Sequence, residues 1–432
     1  MRVNSVLLLL LVFFVLVVLK IPLAFALFLS TLVTFASLDM SFMSLVNRML
    51  TSVQSFPMLA IPFFLMAGLL MSDGGVTERL VKLSDALVGH LPGGLAHVNV
   101  VVSMLFAGLS GSSVADTAGV GAIMIPAMKK AGYDAEYSAA ITAASSTMGT
   151  IIPPSTTMIV YGGVAGVSIG AMFLGGVIPG VLIGLTQMGV NVYMTKKHNY
   201  PRGERIPLRQ KFDVFVRGII PMGMPILIIG GILGGLFTAT EASSTAVVYG
   251  LVIMLLIYRT LTISDLPRIF GETIIMFSKI LFLVAGASAF GWTIAYLRVP
   301  DMIGSYITGI TTSPVGITLM ITLLLIIMGT MMSPVPAILI TLPILQELGD
   351  LAGLHPIYLG VFVVTTLSLG RITPPYGICM MIASDIAGIP AYKGFRAAGI
   401  LVLAYMLLLV VFVLIPDLIL FLPRFLMPQS ML

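Results

Sequence analysis

From its first residue the chain is a succession of apolar blocks parted by short interruptions rich in glycine, proline and serine. Residues 6–19 open the series. A basic start at Met1-Arg2 suits a signal peptide, but the apolar run passes Lys20 and Ile21 and continues to residue 35 without a small-residue cleavage site. It therefore reads as a retained first helix. Residues 39–55 are more polar, carry Arg48 and several hydroxyls, and read as an interfacial amphipathic helix ahead of a span at 58–71. Further apolar blocks cover 95–109, 135–152, 157–192, 219–237 and 242–258, then 274–296, 316–330, 337–345, 358–369, 378–387 and 397–421. Several are shorter than the roughly 20 residues a helix needs to cross a bilayer. This predicts helices broken at membrane depth, or hairpins that enter and return. In hydrocarbon, irregular backbone persists only where protein buries it or where it lines a cavity.

The interruptions recur. Pro153-Pro154 returns as Pro374-Pro375, an offset of 374 − 153 = 221. Without gaps, the same offset pairs Gly108 with Gly329, Ser112 with Ser333, Gly132 with Gly353, Tyr137 with Tyr358, Gly149 with Gly370 and Ile151 with Ile372. Most of these are helix-breaking types, so the match concerns architecture rather than general apolarity. A duplicated unit with breaks at corresponding positions points to a secondary transporter whose site lies between the repeats.

Composition narrows the class. Of 432 residues, 58% are apolar and only 39 (22 basic and 17 acidic) are charged. The mean hydropathy is +1.12. A water-soluble globule lacks the means to cover that much apolar surface. The single Cys379 excludes a disulfide framework and a multi-thiolate metal site, and the four histidines form no HExxH pair. There are no paired catalytic aspartates and no serine with a histidine base, which argues against an intramembrane enzyme. The net charge of +5 reads as topology: residues 196–217 hold seven of the 22 basic residues against Glu204 and Asp213, and positive loops stay cytoplasmic.

Four breaks carry the candidate chemistry. They are Gly108-Leu109-Ser110-Gly111-Ser112-Ser113, Gly149-Thr150-Ile151-Ile152-Pro153-Pro154-Ser155, Gly329-Thr330-Met331-Met332-Ser333-Pro334 and Gly370-Arg371-Ile372-Thr373-Pro374-Pro375. A double proline withholds two amide donors and frees the carbonyls before it. Such carbonyls with nearby hydroxyls are hard oxygen ligands suited to Na⁺, and half-helix N-termini favour an anion. Ionisable residues inside apolar blocks need a partner or a cavity. Arg371, whose repeat mate is the neutral Thr150, suits bidentate binding of a carboxylate or sulfonate, a structural pairing with Asp116 or Asp385, or a position near the aqueous boundary. Asp116 is placed either to neutralise Na⁺ or to cap a half-helix. Glu241, in Thr238-Ala239-Thr240-Glu241-Ala242, reads as a helix-capping residue. Lys279, Arg298 and Asp301 fall near predicted span ends, where long side chains snorkel.

These residues carry a resemblance. Gly108 to Asp116 with Ile125-Pro126-Ala127-Met128, Ile152-Pro153-Pro154-Ser155, Thr240-Glu241-Ala242 and Gly370 to Gly377 resemble, in order and over essentially the whole chain, the large membrane subunit of tripartite ATP-independent periplasmic (TRAP) transporters. The resemblance implies an all-α, polytopic, elevator-type transporter of the bacterial inner membrane. Its repeat is expected to be inverted, with two re-entrant hairpins at about 101–128 and 316–345. It further implies scaffold helices at 1–95, a first transport repeat at 96–195, a basic cytoplasmic linker at 196–217 and central scaffold and arm helices at 218–312. A second transport repeat at 313–395 and a C-terminal scaffold helix at 396–432 complete the layout. By the same resemblance, Na⁺ is drawn to Ser110, Gly111, Ser112, Ser113, Gly149, Thr330, Met332, Ser333, Gly370 and Thr373. The substrate meets Arg371, Ser112, Thr150, Ser155, Thr373 and Pro374. Asp116, Pro153, Pro154, Pro375 and Glu241 serve structure or gating. No cofactor is implied beyond Na⁺ as coupling ion. The implied partners are a small four-helix membrane subunit, a periplasmic substrate-binding protein and the bilayer, with no nucleic acid.

Three departures from the family pattern stand out. Ser333 replaces an acid common at the second hairpin tip, His355 and Tyr358 stand where many relatives have Asp and His, and Arg371 replaces an apolar residue. The expectation is sodium-coupled uptake of a small organic anion, a dicarboxylate or a sulfonate. A binding-protein-independent symporter is the alternative, and a channel a more distant one.

Overall fold

The computed structural model describes residues 2–203 and 207–431, and its regular elements are helices. The first two, α1 (Arg2–Val18) and α2 (Leu23–Ser37), pack on each other. The expected single first helix is thus two. Lys20 enters the left-handed region at φ 63° and Pro22, with no amide to donate, precedes the second helix. The amphipathic α3 (Phe42–Val53) buries only Leu45, and Arg48 lies 5.2 Å from the centre of the Trp292 ring. α4 (Ala60–Asp73) and α5 (Val76–Val88) follow.

Two series of helices then match in order. The first is the pair α6 (Gly94–Ser110) and α7 (Ser113–Lys130), then α8 (Ala135–Ser146), a 3-10 turn at Thr147–Thr150, and α9 (Thr156–Ala165). Between the series lie α10 (Ile169–His198), α11 (Leu208–Leu233), α12 (Ala239–Leu251), α13 (Leu266–Tyr296) and α14 (Val299–Ile310). The second is the pair α15 (Pro314–Met331) and α16 (Pro334–Leu351), then α17 (Pro356–Leu369), a 3-10 turn at Gly370–Ile372, and α18 (Ile378–Ala387). The chain ends in α19 (Ala391–Ala397), α20 (Gly399–Leu414) and α21 (Asp417–Leu426).

Several expected boundaries move, each for a local reason. Both hairpins exceed 101–128 and 316–345, because hydropathy marks membrane depth whereas helices run on through polar last turns such as Lys129-Lys130 and Glu347 to Asp350. The 157–192 block breaks at Gly166 (φ 72°), and the Ser168 hydroxyl caps α10. Helices claim both ends of the expected 196–217 linker, leaving 199–207 between them. Glu204, and the side chains of Asp213 and Arg217, lie outside the described residues. The single C-terminal helix expected at 396–432 is two, α20 and α21, after the last residues of α19, with Pro416 opening α21. Lys279 is not at a span end but about midway along α13, on an exposed face.

Among the described residues, seven helices are long and apolar enough to cross a membrane, or eight if the bent α19–α20 pair is one span. α9 and α18 are shorter apolar helices. The two helices that lead into the breaks are the most deeply buried: α8 is buried from Tyr137 to Ser146, and α17 from Ile357 to Leu369. α8 is mostly alanine, serine and threonine, and small residues let helices approach closely where no hydrophobic force drives them together. Buried phenols tie the second series down, Tyr358 donating to the Phe412 carbonyl (3.1 Å) and Tyr405 to that of Thr365 (2.9 Å). Leaving such a buried phenol without its acceptor costs about 1–3 kcal/mol.

Candidate functional site

The first series builds a closed polar knot. α6 ends at Ser110, Gly111 turns the chain at φ 61°, and the Ser112 hydroxyl accepts from the Ala115 amide to start α7. Ser112, not Asp116, is therefore the side-chain cap, which removes one of the two roles expected for Asp116. The Asp116 carboxylate is fully buried; Oδ1 accepts from the Ser110 hydroxyl, and Oδ2 has no hydrogen-bond partner among the described residues. Gly149 makes room for it, since a Cβ there would overlap the carboxylate. Ser113 Oγ lies 3.2 Å from Thr150 Oγ1. Past the buried Pro153 and Pro154, joined by a cis bond, the Ser155 hydroxyl donates to the Thr150 carbonyl (2.6 Å) and caps α9 by accepting from Met158 (3.2 Å). The Gly111 carbonyl accepts from Thr156 Oγ1 (3.1 Å), so that oxygen is already partly engaged.

The second series is more open. Met332 ends α15 in extended conformation, and Ser333, the residue before α16, makes no capping bond: the third helical position, whose amide donates to the Ser112 and Ser155 caps, is here Pro336 and has none. The Thr330 carbonyl accepts from the Tyr376 amide (3.1 Å), and Gly370 packs directly on the Gly329 backbone. Thr373 Oγ1 donates to the Leu369 carbonyl (3.3 Å). Pro374, Pro375 (again joined by a cis bond) and Tyr376 are exposed. Arg371 is 8% exposed, its Nε has no hydrogen-bond partner, and it forms no ion pair among the described residues. Neither Asp116 nor Asp385 is thus its salt-bridge partner, although Arg371 lies within electrostatic reach of Asp116 and Cys379.

The two series touch at the breaks. Thr150 Oγ1 lies 2.9 Å from Ser368 Oγ, and Cys379 Sγ is 3.7 Å from the Ser113 carbonyl, while α18 packs on α7 and α8. The fold therefore gathers Ser110, Gly111, Ser112, Ser113, Asp116, Gly149, Thr150 and Ser155 into one cluster. A second cluster holds Thr330, Met332, Ser333, Gly370, Arg371 and Thr373, and Ser368 and Cys379 join the two. Glu241 stands apart: with Thr238 it forms a reciprocal capping box at the exposed start of α12. Ser368 was not among the expected site residues. Its signal was present, since the 221-residue offset pairs it with Thr147, whose carbonyl accepts from Thr150 (3.2 Å).

Chemically, the arrangement offers a buried carboxylate with one oxygen that has no hydrogen-bond donor among the described residues, and a buried guanidinium with no ion-pair partner among them. Burying an unpaired charge is costly unless something completes it. The first group suits a small hard cation and the second an oxyanion.

Comparison with known proteins gives the family. Residues 10–423 match the family described as tripartite ATP-independent periplasmic transporter, DctM component. The 2,3-diketo-L-gulonate TRAP transporter large permease protein YiaN of Escherichia coli is 38% identical over 92% of this chain and 94% of its own. The C4-dicarboxylate TRAP transporter large permease protein DctM of Pseudomonas aeruginosa is 36% identical over 86% of each chain. In fold alone, the chain resembles the crystal structure of the Alcanivorax borkumensis YdaH transporter, with a TM-score of 0.59 at 16% identity over 88% of this chain and 89% of that one. Matched over nearly its whole length, this chain belongs to the DctM-component family of TRAP transporters, as a multi-pass permease of the bacterial inner membrane.

Proposed function

We propose that this permease carries out sodium-coupled uptake of a small organic anion, handed over by a periplasmic binding protein, together with a small membrane subunit. The observation that carries the reading is the buried Arg371 guanidinium without an anionic partner, across the joined breaks from an equally unpartnered Asp116 oxygen. The anion docks on Arg371 near Ser112, Thr150, Ser155, Thr373 and Pro374. Na⁺ sits by Asp116 with oxygens of Ser110, Ser113, Gly149 and Thr150, and a second ion uses Thr330, Met332, Ser333, Gly370 and Thr373. The two hairpins and half-helices move as one body against the remaining helices in an elevator stroke. Support for the acid class comes from the relatives, whose printed substrates are 2,3-diketo-L-gulonate and C4-dicarboxylates, and from a guanidinium's geometric fit to carboxylates and sulfonates.

The test is uptake of labelled organic acids into proteoliposomes holding both membrane subunits. Inward Na⁺ and K⁺ gradients are compared, with and without the binding protein. Uptake that needs both Na⁺ and the binding protein supports the proposal. Uptake with Na⁺ alone makes the chain a conventional symporter, and flux under either gradient makes it a channel.

A further inference from the structure

A second polar site lies at the opposite end of α8 from the first break, about 20 Å away at 1.5 Å per helical residue. There the end of α10, the start of α8 and the short α19 enclose an open cleft of ≈ 770 Å³. Its cations come from Lys197, Lys393 and Arg396, with His198 beside them, and its carboxylates from Asp134 and Glu136. Both carboxylates are engaged. Asp134 accepts from Tyr200 Oη (2.6 Å) and pairs with His198 Nδ1 (3.3 Å), and Glu136 pairs with Lys393 (3.8 Å). Lys197 and Arg396 form no ion pair among the described residues, so the cleft presents free positive charge.

The surroundings indicate which anion. The basic segment 196–217 puts this end on the cytoplasmic side. α19 meets α20 at a 51° bend, so Lys393 and Arg396 sit where a membrane-spanning helix begins. Below them α20 presents exposed Leu403 and Leu407, with Ile400 on the cleft wall. Tyr193 and Tyr392, 54% and 68% exposed, flank the opening, as aromatic residues do at the headgroup level. A soluble metabolite has no use for the apolar apron, whereas a lipid fills both parts. Basic pockets between spanning helices on this side suit anionic headgroups.

We infer that the cleft between α8, α10 and α19 binds the phosphate of an anionic phospholipid of the cytoplasmic leaflet, with Arg396 and Lys197 on the phosphate and the acyl chains along α20. The full chain, extracted gently from its membrane, is analysed by native mass spectrometry for retained lipid. It is also placed in nanodiscs of phosphatidylcholine with or without phosphatidylglycerol, and its melting temperature is compared. Phosphatidylglycerol is expected to be retained and to raise the melting temperature. Arg396→Gln and Lys197→Gln should each weaken retention roughly fivefold. Glu136→Gln, which frees Lys393, should strengthen it, and that gain cannot come from a folding defect. Stabilisation by inorganic phosphate or glycerol 3-phosphate in phosphatidylcholine discs, without any effect of phosphatidylglycerol, would overturn the lipid assignment in favour of a soluble ligand. Equal retention of charged and zwitterionic lipids, or no response to the three variants, would overturn the site.

Discussion

The two proline breaks occupy corresponding positions, yet the fold treats them oppositely. In the first, Pro153 and Pro154 are buried, Ser112 and Ser155 each cap a helix, and a carboxylate is sealed inside against Gly149. In the second, Pro374 and Pro375 are exposed, neither Ser333 nor Gly377 supplies a side-chain cap, and the buried charge is Arg371. Position by position under the 221 offset, Asp116 becomes Ala337, Ser155 becomes Tyr376 and Thr150 becomes Arg371. One backbone device thus recurs, and its side chains make the first break closed around a buried carboxylate and the second open beside a buried guanidinium.

The largest effect is expected from the charge that sets the second half apart. Arg371→Gln should weaken binding of the transported anion by roughly 30-fold or more, from about 2–5 kcal/mol for one member of a buried charge pair. Substrate titration checks this with the protein still folded, and unchanged affinity removes Arg371 from the site. Gly370→Ala should lower stability by about 1–3 kcal/mol, because the new Cβ meets the Gly329 backbone, which has little room to shift. A melting curve reads it, and Gly149→Ala, whose Cβ meets the Asp116 carboxylate and, at 3.0 Å, the Ser112 backbone, should also destabilise but less. Asp116→Asn should raise the Na⁺ concentration for half-maximal uptake roughly tenfold, on the order of 1.4 kcal/mol. If Na⁺ dependence is unaltered, the closed half is not the cation seat.

The smallest pair tests how each serine supports its break, Ser155 through its cap and its bond to the Thr150 carbonyl, Ser333 through neither. Ser155→Ala removes a cap and should cost about 1 kcal/mol in thermal stability. Ser333→Ala removes none and should fall within about 0.5 kcal/mol of the parent. Equal losses would show that the two breaks are supported alike, against the asymmetry described above.

Much of this was legible in the residues because a break is a local event. Glycine, proline and a serine cap act within one or two turns, so all four interruptions and their pairing are visible in one dimension. Glu241 belongs with them, since a capping box spans four residues. Boundaries were less legible. Lys20 at positive φ divides the expected first helix, and α13 begins eight residues before its apolar block, which leaves Lys279 mid-helix rather than at an end. Apolarity reports where lipid or core lies, whereas helix ends follow from caps and prolines.

What the sequence determined by itself is the class and the kit: a membrane-embedded helical protein with four backbone breaks in two matched pairs, furnished with hydroxyls and two unusual charges. Only the tertiary structure decided which break is sealed, that Thr150 meets Ser368 and Ser113 meets Cys379, and that among the described residues neither Asp116 nor Arg371 is neutralised by an ion pair. The physical reason is range. Backbone conformation responds to neighbours within a turn, while burial and partnership depend on helices hundreds of residues apart packing side by side.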